Sequence, residues 1–152
     1  VICYDPGENI HENGILRSTS IPAQISESVK FDAIILAGKI VNTLNYVGVM
    51  GVELFVKNQT LLVNEIAPRV HNSGHWTQNS CMIDQFEQHI RAITGWSLGD
   101  GKRQSNCIMT NILGFEIEDT IYSGKGAIHL YGKDTIKPGR KMGHVNKVIP
   151  LV

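Results

Sequence analysis

The stretch VMGVELFVKNQTLLVNEIAPRVHNSGHW, Val49 to Trp76, sets the pattern for the chain. Two apolar, β-prone runs, VMGVELFV and TLLVNEIA, are separated by the polar turn KNQ, which predicts a β-hairpin. Polar groups then crowd the end of the second strand, where an acid, an arginine, two histidines, an asparagine and a serine lie between Asn64 and Trp76. So many polar side chains at one strand end predict a functional site.

Two acids of the hairpin, Glu53 and Glu65, have a relative position that depends on the strand register. If the turn is centred on Gln59, the acids lie directly opposite each other, with side chains roughly 5 Å apart. If the turn is a two-residue Asn58-Gln59 loop, Glu53 faces Asn64 and the acids meet only diagonally. Paired carboxylates need a cation, and a hard divalent ion, Mg²⁺ or Mn²⁺, with a nucleotide phosphate is the natural candidate. The alternative is two solvent-facing acids on an exposed sheet face.

The loop after the hairpin is rich in hydrogen-bond donors. Arg69, His71, Asn72 and Ser73 offer a cluster of donors suited to a phosphate or a carboxylate, which predicts an anionic ligand. On a helix, His71 and His75 would form a zinc pair, but the intervening Asn-Ser-Gly favours a loop and no third ligand lies nearby. In the structural alternative, Arg69 pairs with a nearby acid and His71 caps a turn.

On either side of this segment, apolar residues recur at helical spacing. The residues from Ser26 to Tyr46 predict an amphipathic helix, with Gly48 as a stop signal soon after. A second helix is predicted after Trp76, and Gly95 marks its end. Its apolar stripe consists of Met82, Phe86, Ile90 and Ile93. At the N-terminus, VICY is typical of a strand and DPGENIHENGIL of a loop.

The polar stretch SLGDGKRQS, residues 97–105, interrupts the pattern and predicts a boundary between residues 1–100 and 101–152. Beyond it, NCIMTNIL, GAIHLYG and HVNKVIP are short β-prone runs, so we expect a small β-rich domain and an α+β fold overall. The basic cluster YGKDTIKPGRKMGH, residues 131–144, contains Lys133 and Arg140 around a Pro-Gly turn. A solvated turn and a ligand-binding turn both fit this composition.

The composition excludes several classes of protein. Fourteen basic and fourteen acidic side chains leave no net charge, which gives a nucleic-acid or anionic-membrane partner no electrostatic support. Three scattered cysteines argue against a secreted disulfide framework and favour the cytoplasm. No Walker glycine loop or G-x-S-x-G motif is present. The chain starts at Val1, on an expected strand and without methionine, which predicts a fragment of a longer protein.

Several of these motifs together resemble one family. The run from Asn64 to Asp100, with GVELFV, ENIHENGIL and YGKDTIKPGRKMGHV, closely resembles the 5-(carboxyamino)imidazole ribonucleotide synthases, ATP-grasp ligases of purine biosynthesis. The resemblance implies that the full enzyme uses ATP to activate bicarbonate and carboxylates aminoimidazole ribonucleotide, releasing ADP and phosphate. It also implies a homodimer, and a chain made of the C-terminal half of an ATP-grasp domain (an antiparallel sheet with two helices) and a small β-rich C-terminal domain.

The resemblance assigns roles to the hairpin residues. Glu53 and Glu65 resemble the ligands that bridge Mg²⁺ to the ATP phosphates. The resemblance also implies that Asn64 and Glu65 bind the nucleotide. In many ATP-grasp proteins an asparagine ligand stands two places after the second glutamate, where this chain has Ala67. We expect Asn64 to face away from Glu65, because neighbouring residues of a strand point to opposite faces.

The resemblance also assigns the substrate residues. Arg69 and His71 resemble the catalytic residues for bicarbonate or the transferred phosphoryl group. Lys133 and Arg140 resemble the pair that holds the phosphate of the ribonucleotide. The substrate-binding residues are then Asn72, Ser73, Lys133 and Arg140.

Two other classes of function stay open from the sequence. The chain could be a non-catalytic interaction or dimerisation module with a purely structural polar loop, or part of a metal-dependent hydrolase. We expect no turnover from the chain alone, because the resemblance places most adenine and triphosphate contacts in a lid outside it.

Overall fold

The computed structural model describes residues 1–151 and contains two antiparallel sheets. The larger sheet has five strands in the order β1-β2-β5-β7-β6. Its strands are β1 Glu8–Glu12, β2 Ile15–Ile21, β5 Asn106–Leu113, β6 Ala127–Leu130 and β7 Lys141–Ile149. The smaller sheet is the predicted hairpin, with strands β3 Gly51–Lys57 and β4 Thr60–Ala67. The helices are α1 Glu27–Thr43, α2 Thr77–Ser80, α3 Gln85–Thr94 and α4 Glu116–Ser123. The predicted α+β class is confirmed.

The five-stranded sheet crosses the predicted boundary at residue 100. Strand β2 pairs with β5 from Ser18 opposite Thr110 to Ile21 opposite Cys107. The last fifty residues therefore do not form a sheet of their own, because β1 and β2 extend it at one edge. The division into residues 1–100 and 101–152 stays a prediction.

The N-terminal segment differs from the sequence-based expectation. VICY forms no strand, whereas part of the predicted loop forms the hairpin β1–β2. Its turn residues Asn13 and Gly14 have φ angles of 50° and 75°, as a tight hairpin turn requires. Four of the five residues of β1 are exposed, so this edge strand carries no apolar alternation to reveal it.

Both predicted helices form, but the second buries an unexpected face. Helix α1 is capped by Ser26, and Val29 and Ala33 are its buried residues. Helix α3 begins after Asp84, whose carboxylate accepts hydrogen bonds from two backbone amides, and ends at Gly95 with φ of 74°. Its buried side chains are two glutamines. The predicted apolar stripe is instead exposed on Met82, Phe86, Ile90 and Ile93.

The core lies where the loop containing Trp76 meets the large sheet. Its buried members are Leu16, Ile21, Trp76, Cys107 and Met109. Because Trp76 is only 2% exposed, it fixes the end of the polar loop against β2 and β5. Helix α4, which sequence analysis missed, has no buried residue and so shows no apolar face in its sequence. Within residues 1–151, no helix combines the length and apolar character needed to cross a membrane.

Candidate active site

The register of the hairpin changes along its length. Lys57 pairs with Thr60, so Asn58 and Gln59 form a two-residue loop with φ angles of 50° and 64°. A β-bulge between Glu53 and Leu54 then shifts the pairing by one residue. Both register hypotheses were therefore half right: the turn is the short one, and the acids are nevertheless paired.

The bulge places Glu53 directly opposite Glu65 and leaves Asn64 as the additional residue. The expectation that Asn64 faces away is wrong, because a bulge interrupts the strict alternation of side chains. Its Nδ2 donates to Glu53 Oε2 over 3.4 Å. Two carboxylates and an amide thus lie at one point of the hairpin, while Ala67 is buried and offers no ligand atom.

A neighbouring strand supplies a further contact to Glu53 that sequence analysis missed. Asn9, taken there as a loop residue, lies on β1 and donates from Nδ2 to Glu53 Oε1 over 3.4 Å. Its own Oδ1 accepts a hydrogen bond of 2.8 Å from Thr19, a fully buried residue of β2. The acid of the small sheet is therefore positioned by the edge of the large sheet. The ENIHENGIL motif is the sequence signal for this contact, but its loop-like composition predicts only a turn role for Asn9.

His71 lies between the two acids. Its Nδ1 is 3.8 Å from Glu53 Oε1, and its Nε2 is 3.7 Å from Glu65 Oε1. Nδ1 is also 2.8 Å from Ser73 Oγ and accepts a hydrogen bond from the Ser73 backbone amide, which places the ring proton on Nε2. Gly51 permits this close approach, because a Cβ there would lie 2.7 Å from His71 Cβ.

The electrostatics keep the imidazole neutral near pH 7. Burial lowers the pKa of His71 below its ordinary value, and the opposing influence of Glu53 and Glu65 does not restore it. The positive charge of Lys141, at the start of β7, lowers the pKa of His71 further. Burial also lowers the pKa of Lys141, again opposed by the two acids, so its ammonium group faces the same site. The sequence indicates no role for Lys141 beyond its place in the basic cluster of residues 131–144.

The remaining residues of the loop are held differently. Asn72 donates from Nδ2 to Asn111 Oδ1 over 3.0 Å, which commits its side chain to β5. The guanidinium of Arg69 is exposed and donates to the Val70 carbonyl oxygen. In the described chain it forms no ion pair, so the alternative in which Arg69 neutralises a nearby acid is not observed. The guanidinium of Arg69 thus remains available to a ligand.

The basic turn is stabilised by oxygens that carry no charge. Lys133 Nζ donates to the Lys141 carbonyl oxygen over 2.5 Å and lies 5.6 Å from the centre of the Tyr131 ring. Arg140 donates to the carbonyl and hydroxyl oxygens of Thr135. Through residue 151, neither side chain forms a salt bridge or a hydrogen bond to the loop of residues 69–73. Lys141 is the residue that connects the basic turn to the two acids.

The histidine pair does not lie on an α-helix, but the segment between the two residues is a short 3₁₀ helix, Asn72–Gly74, and not the predicted loop. His71 caps this turn, as the structural alternative expected. His75 points into the protein, where its ring stacks on Phe86 and on His144. Among residues 1–151, no three His, Cys, Asp or Glu side chains are grouped to hold a metal ion. A cation on Glu53 and Glu65 would therefore take its other ligands from amide, phosphate or water oxygens, as Mg²⁺ usually does.

The paired acids and the donor-rich loop suit a divalent cation with a bound phosphate, which is chemistry typical of a nucleotide-dependent enzyme. The chain belongs to the ATP-grasp family, because the model of the ATP-grasp domain matches residues 1–86, more than half of its length. Residues 107–150 match the phosphoribosylaminoimidazole carboxylase C-terminal domain. The resemblance inferred from the motifs is thus confirmed.

Individual relatives agree with this assignment. The chain is 50% identical to the N5-carboxyaminoimidazole ribonucleotide synthase of Brucella melitensis, over 99% of the chain and 42% of the relative. A crystal structure of such a synthetase in complex with ADP matches with a TM-score of 0.92 and 42% identity, over 95% of this chain and 40% of that one.

The Aspergillus clavatus enzyme, in complex with ADP and 5-aminoimidazole ribonucleotide, also matches with a TM-score of 0.92. The identity is 34%, over 99% of this chain and 43% of that one. This chain therefore spans about two fifths of the length of the relatives it matches.

Proposed function

We propose that the protein carrying this chain is an ATP-dependent ligase that carboxylates aminoimidazole ribonucleotide with bicarbonate, giving 5-(carboxyamino)imidazole ribonucleotide, ADP and phosphate in purine biosynthesis. The observation that carries the proposal is the pairing of Glu53 with Glu65 across the bulge, with His71 between them. The likeness to synthases solved with ADP and with 5-aminoimidazole ribonucleotide supports the substrates. We further propose that the complete protein is a homodimer and that it works in the cytoplasm.

The hairpin residues fit a hard divalent cation. Glu53, Glu65 and the amide of Asn64 supply oxygen atoms, and the hydrogen bonds to the Glu53 carboxylate are long, at 3.4 Å, which leaves lone pairs for a metal. Mg²⁺, or Mn²⁺, held there would neutralise charge on the ATP phosphates during phosphoryl transfer. Asn64 and Glu65 are the residues that we assign to the nucleotide side.

The loop residues fit the anionic substrate. The exposed guanidinium of Arg69 suits bicarbonate or the transferred phosphoryl group, since a planar fork matches such oxygens. A neutral His71, with its proton on Nε2, can donate one hydrogen bond towards the reacting oxygens. Ser73 orients this ring through Nδ1, and Asn72 holds the loop to β5.

The basic turn fits the phosphate of the ribonucleotide. Lys133 and Arg140 pair with no carboxylate in the described residues, so their charges are available to a phosphate. Lys141 extends this positive surface towards the acids. We therefore assign Lys133 and Arg140 to the substrate phosphate.

The test is phosphate release from ATP by the complete protein, with bicarbonate, in the presence and absence of aminoimidazole ribonucleotide. We expect the ribonucleotide to stimulate release strongly and to be carboxylated in equal amount. Phosphate release without the amine would indicate a hydrolase instead. Absence of nucleotide turnover in a folded protein would favour an interaction module.

A further inference from the structure

Gln85, the first residue of α3, clamps the backbone of His71. The His71 backbone amide donates to Gln85 Oε1 over 2.9 Å, and Gln85 Nε2 donates to the His71 carbonyl oxygen, also over 2.9 Å. Nε2 is in addition 2.8 Å from His75 Nδ1. Gln85 is only 2% exposed, so its amide uses its polar atoms on the loop and not on water.

The clamp replaces a missing strand neighbour. In a sheet, an antiparallel partner satisfies both the N–H and the C=O of a residue, whereas the loop at His71 has no such partner. The side-chain amide of Gln85 supplies the same donor and acceptor. The backbone of His71 is thereby fixed in position although it lies outside any strand.

The surroundings of Gln85 hold its amide in one orientation. Its backbone amide donates to Thr77 Oγ1, which itself donates to the Gly74 carbonyl oxygen over 2.6 Å. Gly74 leaves room for the amide, because a Cβ there would lie 2.5 Å from Gln85 Oε1. Burial lowers the pKa of His75 to about 4, so its ring is neutral near pH 7 and Nδ1 can accept the second Nε2 proton.

We propose that Gln85 is a positioning residue for the ligase reaction: its clamp on His71 sets the imidazole midway between Glu53 and Glu65. The two ring-to-carboxylate distances differ by only 0.1 Å, at 3.8 and 3.7 Å. A small rotation of the loop would break this symmetry and turn Nε2 away from Glu65. The inference rests on the proposed function for its catalytic consequence, and on the structure alone for the placement of His71.

The same helix contains a matched control. Gln88, 5% exposed, makes the same two contacts with a different loop: Gly99 N donates to its Oε1 over 2.9 Å, and its Nε2 donates to the Gly99 carbonyl oxygen over 3.1 Å. Gln88→Leu and Gln85→Leu thus each remove one buried amide and two hydrogen bonds to the backbone, and Gln85→Leu also removes the contact with His75 Nδ1. Only the second change releases His71.

The experiment compares the two leucine variants in the complete protein. We expect both variants to lose thermal stability, Gln85→Leu the more because it also removes the contact with His75. A fall in kcat for the ribonucleotide-dependent reaction of about 10- to 100-fold is expected only in Gln85→Leu, because misplacement by about 1 Å can cost that much. The KM for ATP should change little. Equal kcat values for the two variants, measured on folded protein, would overturn the inference.

A conservative variant and a spectroscopic measurement separate this inference from the proposed function. In Gln85→Glu, an ionised carboxylate cannot donate to the His71 carbonyl oxygen, so kcat relative to wild type should rise as the pH falls and the acid protonates. The ring ¹⁵N chemical shifts of His71, measured at one fixed pH on ¹⁵N-histidine-labelled protein and assigned with His71→Asn, should change in Gln85→Leu as the ring leaves its contact with Ser73, and stay unchanged in Gln88→Leu.

The two failures have different signatures. A wild-type protein without ribonucleotide-dependent turnover would contradict the proposed function, while changed ring ¹⁵N shifts of His71 in Gln85→Leu would still support the placement. An active wild type whose His71 ring shifts and kcat are unaffected by Gln85→Leu would contradict only the positioning role.

Discussion

At the scale of single residues, the two acids of the hairpin differ in exposure. The side chain of Glu53 is 11% exposed and that of Glu65 is 51% exposed. Glu53 is held by Asn9 and Asn64, whereas within residues 1–151 the carboxylate of Glu65 has only the distant contact with His71. A charge on Glu65 therefore contributes little to folding and is available to a ligand.

We predict that Glu65→Gln lowers turnover of the complete protein by about 100-fold or more, because it removes one negative ligand from the proposed Mg²⁺ site. The melting temperature should move by no more than a degree or two, since the side chain is half exposed. Steady-state phosphate release and thermal unfolding measure the two effects. Near-normal turnover at saturating Mg²⁺ would contradict the metal assignment.

A second residue-scale prediction concerns the phosphate of the ribonucleotide. Arg140→Ala should raise the KM for aminoimidazole ribonucleotide by about 10- to 100-fold, because a charge-assisted hydrogen bond contributes about 1.5–3 kcal/mol. The KM for ATP should stay unchanged. Lys147→Ala, an exposed charge on β7, is the control. An equal change in both KM values would instead indicate a general loss of structure.

At the scale of elements, the site depends on how β3 packs against the loop. Gly51 starts β3, and its missing side chain leaves the space that His71 occupies. Its φ angle is not positive, so the requirement for glycine is steric and not conformational. The bulge beside Glu53 and this glycine together bring strand and loop to the distance at which the acids meet the imidazole.

We predict that Gly51→Ala lowers both stability, by about 1–3 kcal/mol, and turnover, because the added methyl group displaces His71 or the strand. Gly38→Ala on α1 is the matched control. A Cβ at Gly38 meets no atom within 4 Å, and alanine favours a helix by up to about 1 kcal/mol. Unchanged turnover in Gly51→Ala would mean that the loop accommodates the methyl group without consequence.

At the scale of the whole molecule, three stacked imidazoles join the loop to the large sheet. His75 of the loop stacks on His144 of β7, which stacks on His129 of β6, both with ring centres 4.6 Å apart. Burial, followed by repulsion from His75 and His129, lowers the pKa of His144 to about 3. Burial, followed by repulsion from His71, His129 and Lys141, lowers the pKa of His75 to about 4. The hydroxyl oxygen of Tyr131 forms a hydrogen bond of 2.9 Å with His144 Nδ1.

We predict that stability falls as the pH drops below about 6.5. Below that pH the unfolded chain binds protons at both histidines, whereas the folded chain excludes them until about pH 4 for His75 and pH 3 for His144. Between its folded-state pKa and pH 6.5, each histidine lowers the free energy of unfolding by about 1.4 kcal/mol for every unit by which the pH falls. Denaturant unfolding of the complete protein between pH 7 and 5 measures the slope, and His144→Phe should reduce it. Stability that is equal at pH 7 and 5 would contradict the prediction.

The sequence by itself determined the elements whose information is local. Caps, turns and apolar periodicity act over a few neighbouring residues, so they predicted the helix capped by Ser26, the helix ended by Gly95 and the hairpin. The family motifs can be read directly from the sequence. The assignment of Glu53, Glu65, Arg69 and His71 to one loop-and-hairpin site came from the same local patterns.

The tertiary structure alone decided contacts between distant residues. Local periodicity does not reveal three features of the structure. They are the bulge that turns Asn64 towards Glu53, the pairing of β2 with β5 across residue 100, and the burial of Gln85 in place of an apolar stripe. Each depends on which backbone groups lack a partner once the chain has folded. A glutamine can be buried at Gln85 because the loop offers it a donor and an acceptor, and only the folded chain brings them together.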